Sequence, residues 1–246
     1  MAAMTDFFIW AHRGASATAP ENTLAAFRAA AAAGADGIEL DVHLSRDGVP
    51  VVIHDETVDR TTNGRGHVAS MTAEQLRRLD AGSWFAQSFA GETVPTLEEV
   101  FAWTGERLRL NVEIKAVPAG LAVIELLRAY PRVRVLLSSF DHSLLERLRL
   151  QNPDLPLGFL IESRFWRRTV QRAVDSRAES VHPRYDLLSR PLLASCQRHG
   201  LAVHCWTVDR PDLCSSLRRR GVAGVFTNDP ALIAGHLRDI GGHPSV

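Results

Sequence analysis

The sequence predicts an α/β protein: a closed (β/α)8 barrel with an insertion between the second strand and the second helix. Three observations predict it. Short apolar runs alternate about eight times with Ala/Leu/Arg stretches of helical period, the pattern of successive parallel βα units. The chain has 246 residues and 46% hydrophobic content, the size of one such barrel and enough to fill its core. Acids and histidines that interrupt the apolar runs fall toward the C-terminal ends of the strands, where a parallel barrel carries its site. A doubly wound open sheet shares the alternation, because periodicity alone does not show closure.

The elements follow in order. Residues 7–12 ("FFIWAH") form a strand ending on a histidine, and 22–33 carry apolar residues at helical spacing before Gly34 stops the helix. In the second strand, 37–44, Ile38, Leu40 and Val42 alternate with Glu39, Asp41 and His43. After His54 come a polar run ("DETVDRTTNGRGHVAS"), a short helix ("TAEQLRRLDAG") and an aromatic patch of Trp84, Phe85 and Phe89. Residues 55–93 therefore read as a cap-like excursion inside one βα unit of a single domain, 1–246. Structured insertions of that length serve as lids or binding loops. "VPTLEEVFAW" supplies the helix ahead of strand 108–115, which ends "NVEIK". Strands over 132–139, 155–161, 180–183, 201–207 and 222–227 complete the set. Helices over 119–130, 142–151, 166–176, 190–200 and 210–220 separate them; Pro191 and Pro211 mark starts, Gly200 and Gly221 ends.

Composition excludes several function classes. Lys+Arg and Asp+Glu both number 28, so formal net charge is zero and there is no basic footprint for a nucleic-acid partner. The N-terminal stretch lacks a basic region followed by a long apolar one, and no apolar run is long enough for stable membrane insertion. Cys196, Cys205 and Cys214 show no metal-ligand spacing, and an odd number fits a reduced, cytoplasmic chain with buried thiols. Of the 28 basic residues only Lys115 is a lysine.

Strand residues two apart share a face, so Glu39 and Asp41 point the same way, as do Glu113 and Lys115. His12-Arg13-Gly14 follows the first strand directly, and His54 joins the same mouth if the run 49–53 returns there. Buried unpaired carboxylates are costly, so three acids inside a barrel require a cation or a shifted pKa. An oxygen-only donor set, Glu39, Asp41 and Glu113, favours one hard divalent cation, Mg2+ or Ca2+, over zinc. A cation with vacant positions also takes a phosphate oxygen, which Arg13 and Lys115 complement. His12 and His54, outside the metal shell, suit a general base and a general acid. Glu-x-Asp alone is commonly a wet strand face, and a lone histidine is commonly structural; their convergence on successive strand ends is what is specific.

With these motifs the chain resembles the glycerophosphodiester phosphodiesterases, TIM-barrel enzymes that cleave glycerophosphodiesters to glycerol 3-phosphate and an alcohol. The likeness runs through "AHRGASATAPENTLAAF", "DGIELDVHLSRDGVPVVIHDETVDRTTNGRG", "VPTLEEVF", "NVEIK", "SSFD", "HCWTVD" and "GVAGVFTNDP", nearly the whole chain in order. The resemblance implies that His12 and His54 are the acid/base pair and that Glu39, Asp41 and Glu113 bind the metal. It further implies that Arg13 and Lys115 grip phosphate and that residues 55–93 are the family's characteristic insertion. The implied partner is a small glycerophosphodiester. Trp206 is either a wall of its pocket or a barrel-rim core aromatic. Two positions depart from the commonest pattern: Asp209 where the family often has asparagine, and Asn228 where it often has aspartate. Both fall at late strand ends, where the expectation is an effect on substrate fit. His182 and His204 are expected to be structural.

Two other readings share the scaffold. A sphingomyelinase D-like phospholipase would favour a secreted chain with paired cysteines and a shorter insertion. A non-catalytic phosphodiester-binding barrel would be expected to have lost at least one of the two histidines or three acids, and all five are present.

Overall fold

A computed structural model describes residues 7–241. Its strands are β1 (Phe8–His12), β2 (Gly37–Leu44), β3 (Pro50–Val52), β4 (Arg109–Ile114), β5 (Arg134–Ser139), β6 (Leu157–Ile161), β7 (Ser180–Pro183), β8 (Ala202–Cys205) and β9 (Gly224–Thr227). All but β3 pair in parallel in the cyclic order β1-β2-β4-β5-β6-β7-β8-β9, and β9 pairs back onto β1. The sheet is thus a closed barrel of eight parallel strands, and the open-sheet alternative falls. The helices are α1 (Leu24–Ala32), α2 (Ala73–Arg77), α3 (Leu97–Thr104), α4 (Val117–Ala129), α5 (His142–Gln151), α6 (Trp166–Asp175), α7 (Arg190–Arg198), α8 (Pro211–Arg219) and α9 (Pro230–Gly241).

The period-two pattern of β2 divides the barrel wall. Ile38, Leu40 and Val42 are fully buried among the residues packed between strands and helices. Each such side chain contributes about 1.5–3 kcal/mol by leaving water. Glu39 and Asp41 face the interior instead. Below them the interior is aromatic: Trp10 stacks on Phe226 at 5.8 Å, and the rings of His182 and His204 lie 5.7 Å apart. Inward glycines make that room. A Cβ at Gly37 would stand 2.6 Å from the Trp10 ring, and one at Gly158 would stand 2.4 Å from His182.

Two details differ from the sequence reading. The strand expected over 201–207 runs only Ala202–Cys205, and beyond it Trp206 keeps one parallel bridge to Arg184, its N donating to the Pro183 carbonyl at 3.2 Å and its carbonyl accepting from Tyr185 N at 2.8 Å. Helix α9 lacks an expectation of its own, although Asp229 Oδ1 caps it by accepting from Leu232 N at 3.0 Å.

The insertion leaves the barrel through β3, which pairs antiparallel with β2. Val51, Ile53, Val58, Val68, Leu76, Ala81 and Val94 give it a small core of its own. Thr72 and Gln75 close a capping box on α2. Asp80 pins the following turn by accepting from the backbone of Gly82 and Ser83, both at 2.8 Å, and of Gly91 at 3.1 Å. Among the described residues no helix is long and apolar enough to cross a membrane.

Candidate active site

Strand register gathers the acids. Asp41 lies opposite Glu113 across β2 and β4, Glu39 lies opposite Asn111, and His12 on β1 lies opposite Glu39. Carboxylate oxygens of Glu39, Asp41 and Glu113 lie within 4.8 Å of one another, and the three residues are only 3%, 1% and 8% exposed. Glu39 Oε1 is buried without a hydrogen-bond partner. A buried oxygen left unmatched in an all-oxygen donor set fits a hard cation.

The turn after β1 explains the His-Arg-Gly sequence. Arg13 and Gly14 both have left-handed backbones, φ 56° and 83°, and a Cβ at Gly14 would strike the Ala26 backbone at 2.7 Å. The turn aims Arg13 N at Glu39 Oε2, 2.8 Å away. The Arg13 side chain spans Glu21 at 2.9 Å and Asp41 at 3.3 Å. Asn22, also left-handed at φ 58°, donates to Asp41 Oδ2 at 2.9 Å and accepts from Asp41 N at 3.2 Å. On the other side Lys115 Nζ meets Glu113 at 2.7 Å and Asp41 at 3.4 Å.

These neighbours split the three acids. Burial, and then the charges of Asp41 and Glu113, raise Glu39 well above the ordinary carboxyl range. Glu113 is pushed up to about 7 by burial and by Asp41. Burial opposes ionisation of Asp41 too, but the cations of Lys115 and Arg13 outweigh it and hold that carboxyl down to about 2. Burial, reinforced by the Arg13 charge, lowers His12 to about 4, so its ring is neutral at physiological pH.

Both sequence-predicted histidines reach the same pocket. Its lining comprises His12, Arg13, Glu39, His54, Asn111, Glu113 and Lys115 on a polar side, and Phe140, Leu160, Trp206 and Phe226 on an apolar side. His54 arrives just beyond β3, its carbonyl accepting from His43 Nε2 at 3.0 Å and its Nδ1 donating to Asp55 at 2.6 Å. Trp206 is a wall residue held by its Nε1 donating to the His182 carbonyl at 2.7 Å. His182 and His204 stay out of the lining; His204 Nδ1 accepts from Trp10 Nε1 at 3.3 Å.

Sequence reasoning missed four residues here. Arg60, in the insertion, grips Asp55 at 2.7 Å and Glu21 at 2.8 Å, and so links His54 to Arg13. Glu21 and Asn22 sit in "APENT", read only as part of a motif. Asn111 precedes Glu113 by two residues, a spacing that places it on the inward face; its buried Oδ1 has no partner. In the aromatic patch Phe85 meets both Trp84 and Phe89 edge to face, and none of the three lines the pocket. Asp209 and Asn228 follow the late strands β8 and β9, as the sequence places them. They contact each other, and Asn228 contacts His12, which sets the pair beside a candidate catalytic ring.

Fold and pocket together define a barrel enzyme built for a small anionic substrate. The profile of the Glycerophosphoryl diester phosphodiesterase family matches residues 12–232. A glycerophosphodiester phosphodiesterase of Caldanaerobacter subterraneus is 42% identical, over 93% of this chain and 96% of its own. One from Bacillus subtilis is 34% identical over 90% and 83%. A solved phosphodiesterase of Oleispira antarctica, in complex with the product sn-glycerol-3-phosphate, superposes with a TM-score of 0.86 at 30% identity, covering 94% of this chain and 96% of that one. The chain belongs to the glycerophosphodiester phosphodiesterase family, and its activity is that of a phosphoric diester hydrolase acting on glycerophosphodiesters.

Proposed function

We propose that the enzyme hydrolyses glycerophosphodiesters such as glycerophosphocholine and glycerophosphoethanolamine to glycerol 3-phosphate and an alcohol, using His12 and His54 as proton-transfer groups. The observation that carries this reading is the meeting of two imidazoles, three buried carboxylates, Arg13 and Lys115 in one pocket. Glu39, Asp41 and Glu113 would hold one Mg2+ or Ca2+, which when bound supplies charge neutralisation for the phosphodiester. Arg13 and Lys115 bind and orient the phosphoryl oxygens. One imidazole takes the proton of the attacking oxygen, from water or from the substrate's neighbouring glycerol hydroxyl, and the other protonates the leaving alcohol. Trp206 and Phe140, edge to face at 5.8 Å, wall the substrate on its apolar side. Within a single barrel domain, residues 55–93 act as a cap tied to the site through Arg60. Three buried free thiols favour a reducing, cytoplasmic setting. Product analysis on a panel of glycerophosphodiesters, with and without chelator, tests the reading. Release of glycerol 3-phosphate and free headgroup alcohol is expected; an unchanged substrate panel in the presence of either cation overturns it.

A further inference from the structure

We propose that Asn228 and Asp209 are a positioning pair that locks His12 in one tautomer, with Nδ1 protonated and the Nε2 lone pair facing the pocket, which makes His12 the proton acceptor of the reaction. This deepens the reading above and rests on it. The two residues are the departures that the sequence places at late strand ends, and the fold turns them into neighbours. Asn228 Nδ2 donates to Asp209 Oδ2 at 2.7 Å. Asp209 is itself held, its Oδ1 accepting from Asn228 N at 2.7 Å and from Thr227 Oγ1 at 3.0 Å.

The chain of logic is one of donors and acceptors. An ionised carboxylate only accepts, so the amide must turn its NH2 toward Asp209 and its carbonyl the other way. Asn228 Oδ1 then faces His12 Nδ1 at 2.7 Å, and a carbonyl only accepts, so Nδ1 carries the proton. Ser16 Oγ, 3.0 Å from the same Oδ1 and 2.8 Å from the His12 carbonyl, is compatible because a hydroxyl donates to either. With Nδ1 protonated in the neutral ring, Nε2 holds a lone pair, and it has no hydrogen-bond partner among the described residues. The ring lines the pocket, so that lone pair is available to a nucleophile's proton.

His54 Nδ1 also carries a proton but donates to a different partner, the Asp55 carboxylate at 2.6 Å, and serving as the acid requires a second proton on Nε2. A carboxylate stabilises a charged ring directly, whereas an amide carbonyl does so weakly. The two histidines are therefore not interchangeable. In the step, the attacking oxygen's proton passes to His12 Nε2 as the new P–O bond forms. The alkoxide leaving with the P–O electron pair takes the Nε2 proton of the doubly protonated His54 ring, which becomes neutral while its Nδ1–H stays on Asp55. Asn228 and Asp209 are not among the residues that line the pocket; they act through the ring.

The test combines a spectrum with a double exchange. In the resting protein, 15N-edited NMR of the histidine rings, with His12 identified by its loss in His12→Ala, should show Nδ1 protonated and Nε2 bare. A His12 ring protonated at Nε2 instead overturns the proposal. In kinetics with glycerophosphocholine, Asn228→Leu should lower kcat roughly 10²-fold with KM little changed, because a wrong tautomer costs that much or more in comparable His-dependent sites. Asn228→Asp alone sets two carboxylates face to face and should lose a similar amount. Exchange of both, Asn228→Asp with Asp209→Asn, rebuilds the donor–acceptor chain and should recover at least about tenfold. A merely structural pair would move the melting temperature without this loss and rescue in kcat. If His12→Ala is inactive while Asn228→Leu stays within about twofold of the parent, the positioning pair fails and the catalytic reading stands. If His12→Ala keeps full turnover, the catalytic reading itself fails.

Discussion

Lys115 Nζ lies 2.7 Å from Glu113 Oε1, two residues away on the same inward face, so the chain's only lysine is built into its acid cluster. The ammonium also reaches Asp41 at 3.4 Å, opposite the Arg13 guanidinium. A compact ammonium fits between two carboxylates where a planar guanidinium fork would displace one of them. Lys115→Arg, which preserves charge, should lower kcat/KM by at least about tenfold, or ~1.4 kcal/mol of transition-state stabilisation. An unchanged circular-dichroism melt alongside that loss is expected. Parent-like kinetics would show that position 115 needs only a positive charge.

Replacing either histidine by alanine should cost roughly 10²–10⁴ in kcat while leaving binding of glycerol 3-phosphate within severalfold of the parent. Turnover assays paired with equilibrium binding check this. A variant whose kcat falls less than threefold would remove that ring from the chemistry.

Metal removal has a signature in stability as well as activity. Chelation should abolish turnover, and Mg2+ or Ca2+ should restore it at least in part. Glu39 and Glu113 are raised above the ordinary carboxyl range, so the metal-free native state keeps protons that the unfolded chain releases near pH ~4.5. Fewer protons bound on unfolding means that stability falls as pH rises, through a window that for Glu113 extends to about 7. A cation bound by Glu39, Asp41 and Glu113 would take the place of those protons. The gain in Tm on adding metal should therefore be larger at pH 7.5 than at pH 5; an equal gain at both values would count against this assignment.

Arg60 joins the insertion to the site, and it is 45% exposed at the side chain, so solvent screens much of its charge. Its bidentate contacts to Asp55 and Glu21 still orient the partners of His54 and Arg13. Arg60→Ala should reduce kcat/KM by roughly three- to thirtyfold with little change in Tm. No kinetic change would leave the insertion without a mechanical link to the pocket.

The barrel interior gives a prediction about stability alone. A methyl group at Gly158 would meet the fully buried His182 ring at 2.4 Å. Gly158→Ala should cost about 1–3 kcal/mol, read as a lower Tm or denaturant midpoint. A parent-like midpoint would mean that the His182 ring yields freely.

What was legible in the sequence was whatever depends on short spacing. The i, i+2 rule put Glu39 with Asp41 and Glu113 with Lys115, and strand polarity sent both pairs, with His12, to one mouth. Contacts between distant segments carry no such local signal. Asn228 is 216 residues from His12, and Arg60 is 39 from Glu21. The aromatic run in the insertion was legible as a patch but its partners were not: Phe85 meets Trp84 and Phe89 edge to face, and Trp84 Nε1 donates locally to the Ala81 carbonyl at 2.9 Å.

The seam where β9 pairs with β1 also sets an order of assembly. On the ribosome the acids, His12 and His54 all emerge by Lys115, before β5 to β9, while the strand that closes the ring and brings Asn228 to His12 follows all of them. A nascent or prematurely terminated chain thus carries every side chain of the polar wall and still lacks the hydrogen bond that holds its first histidine. The contact on His12 arrives with the strand that closes the ring and not with the acids and histidines of the polar wall.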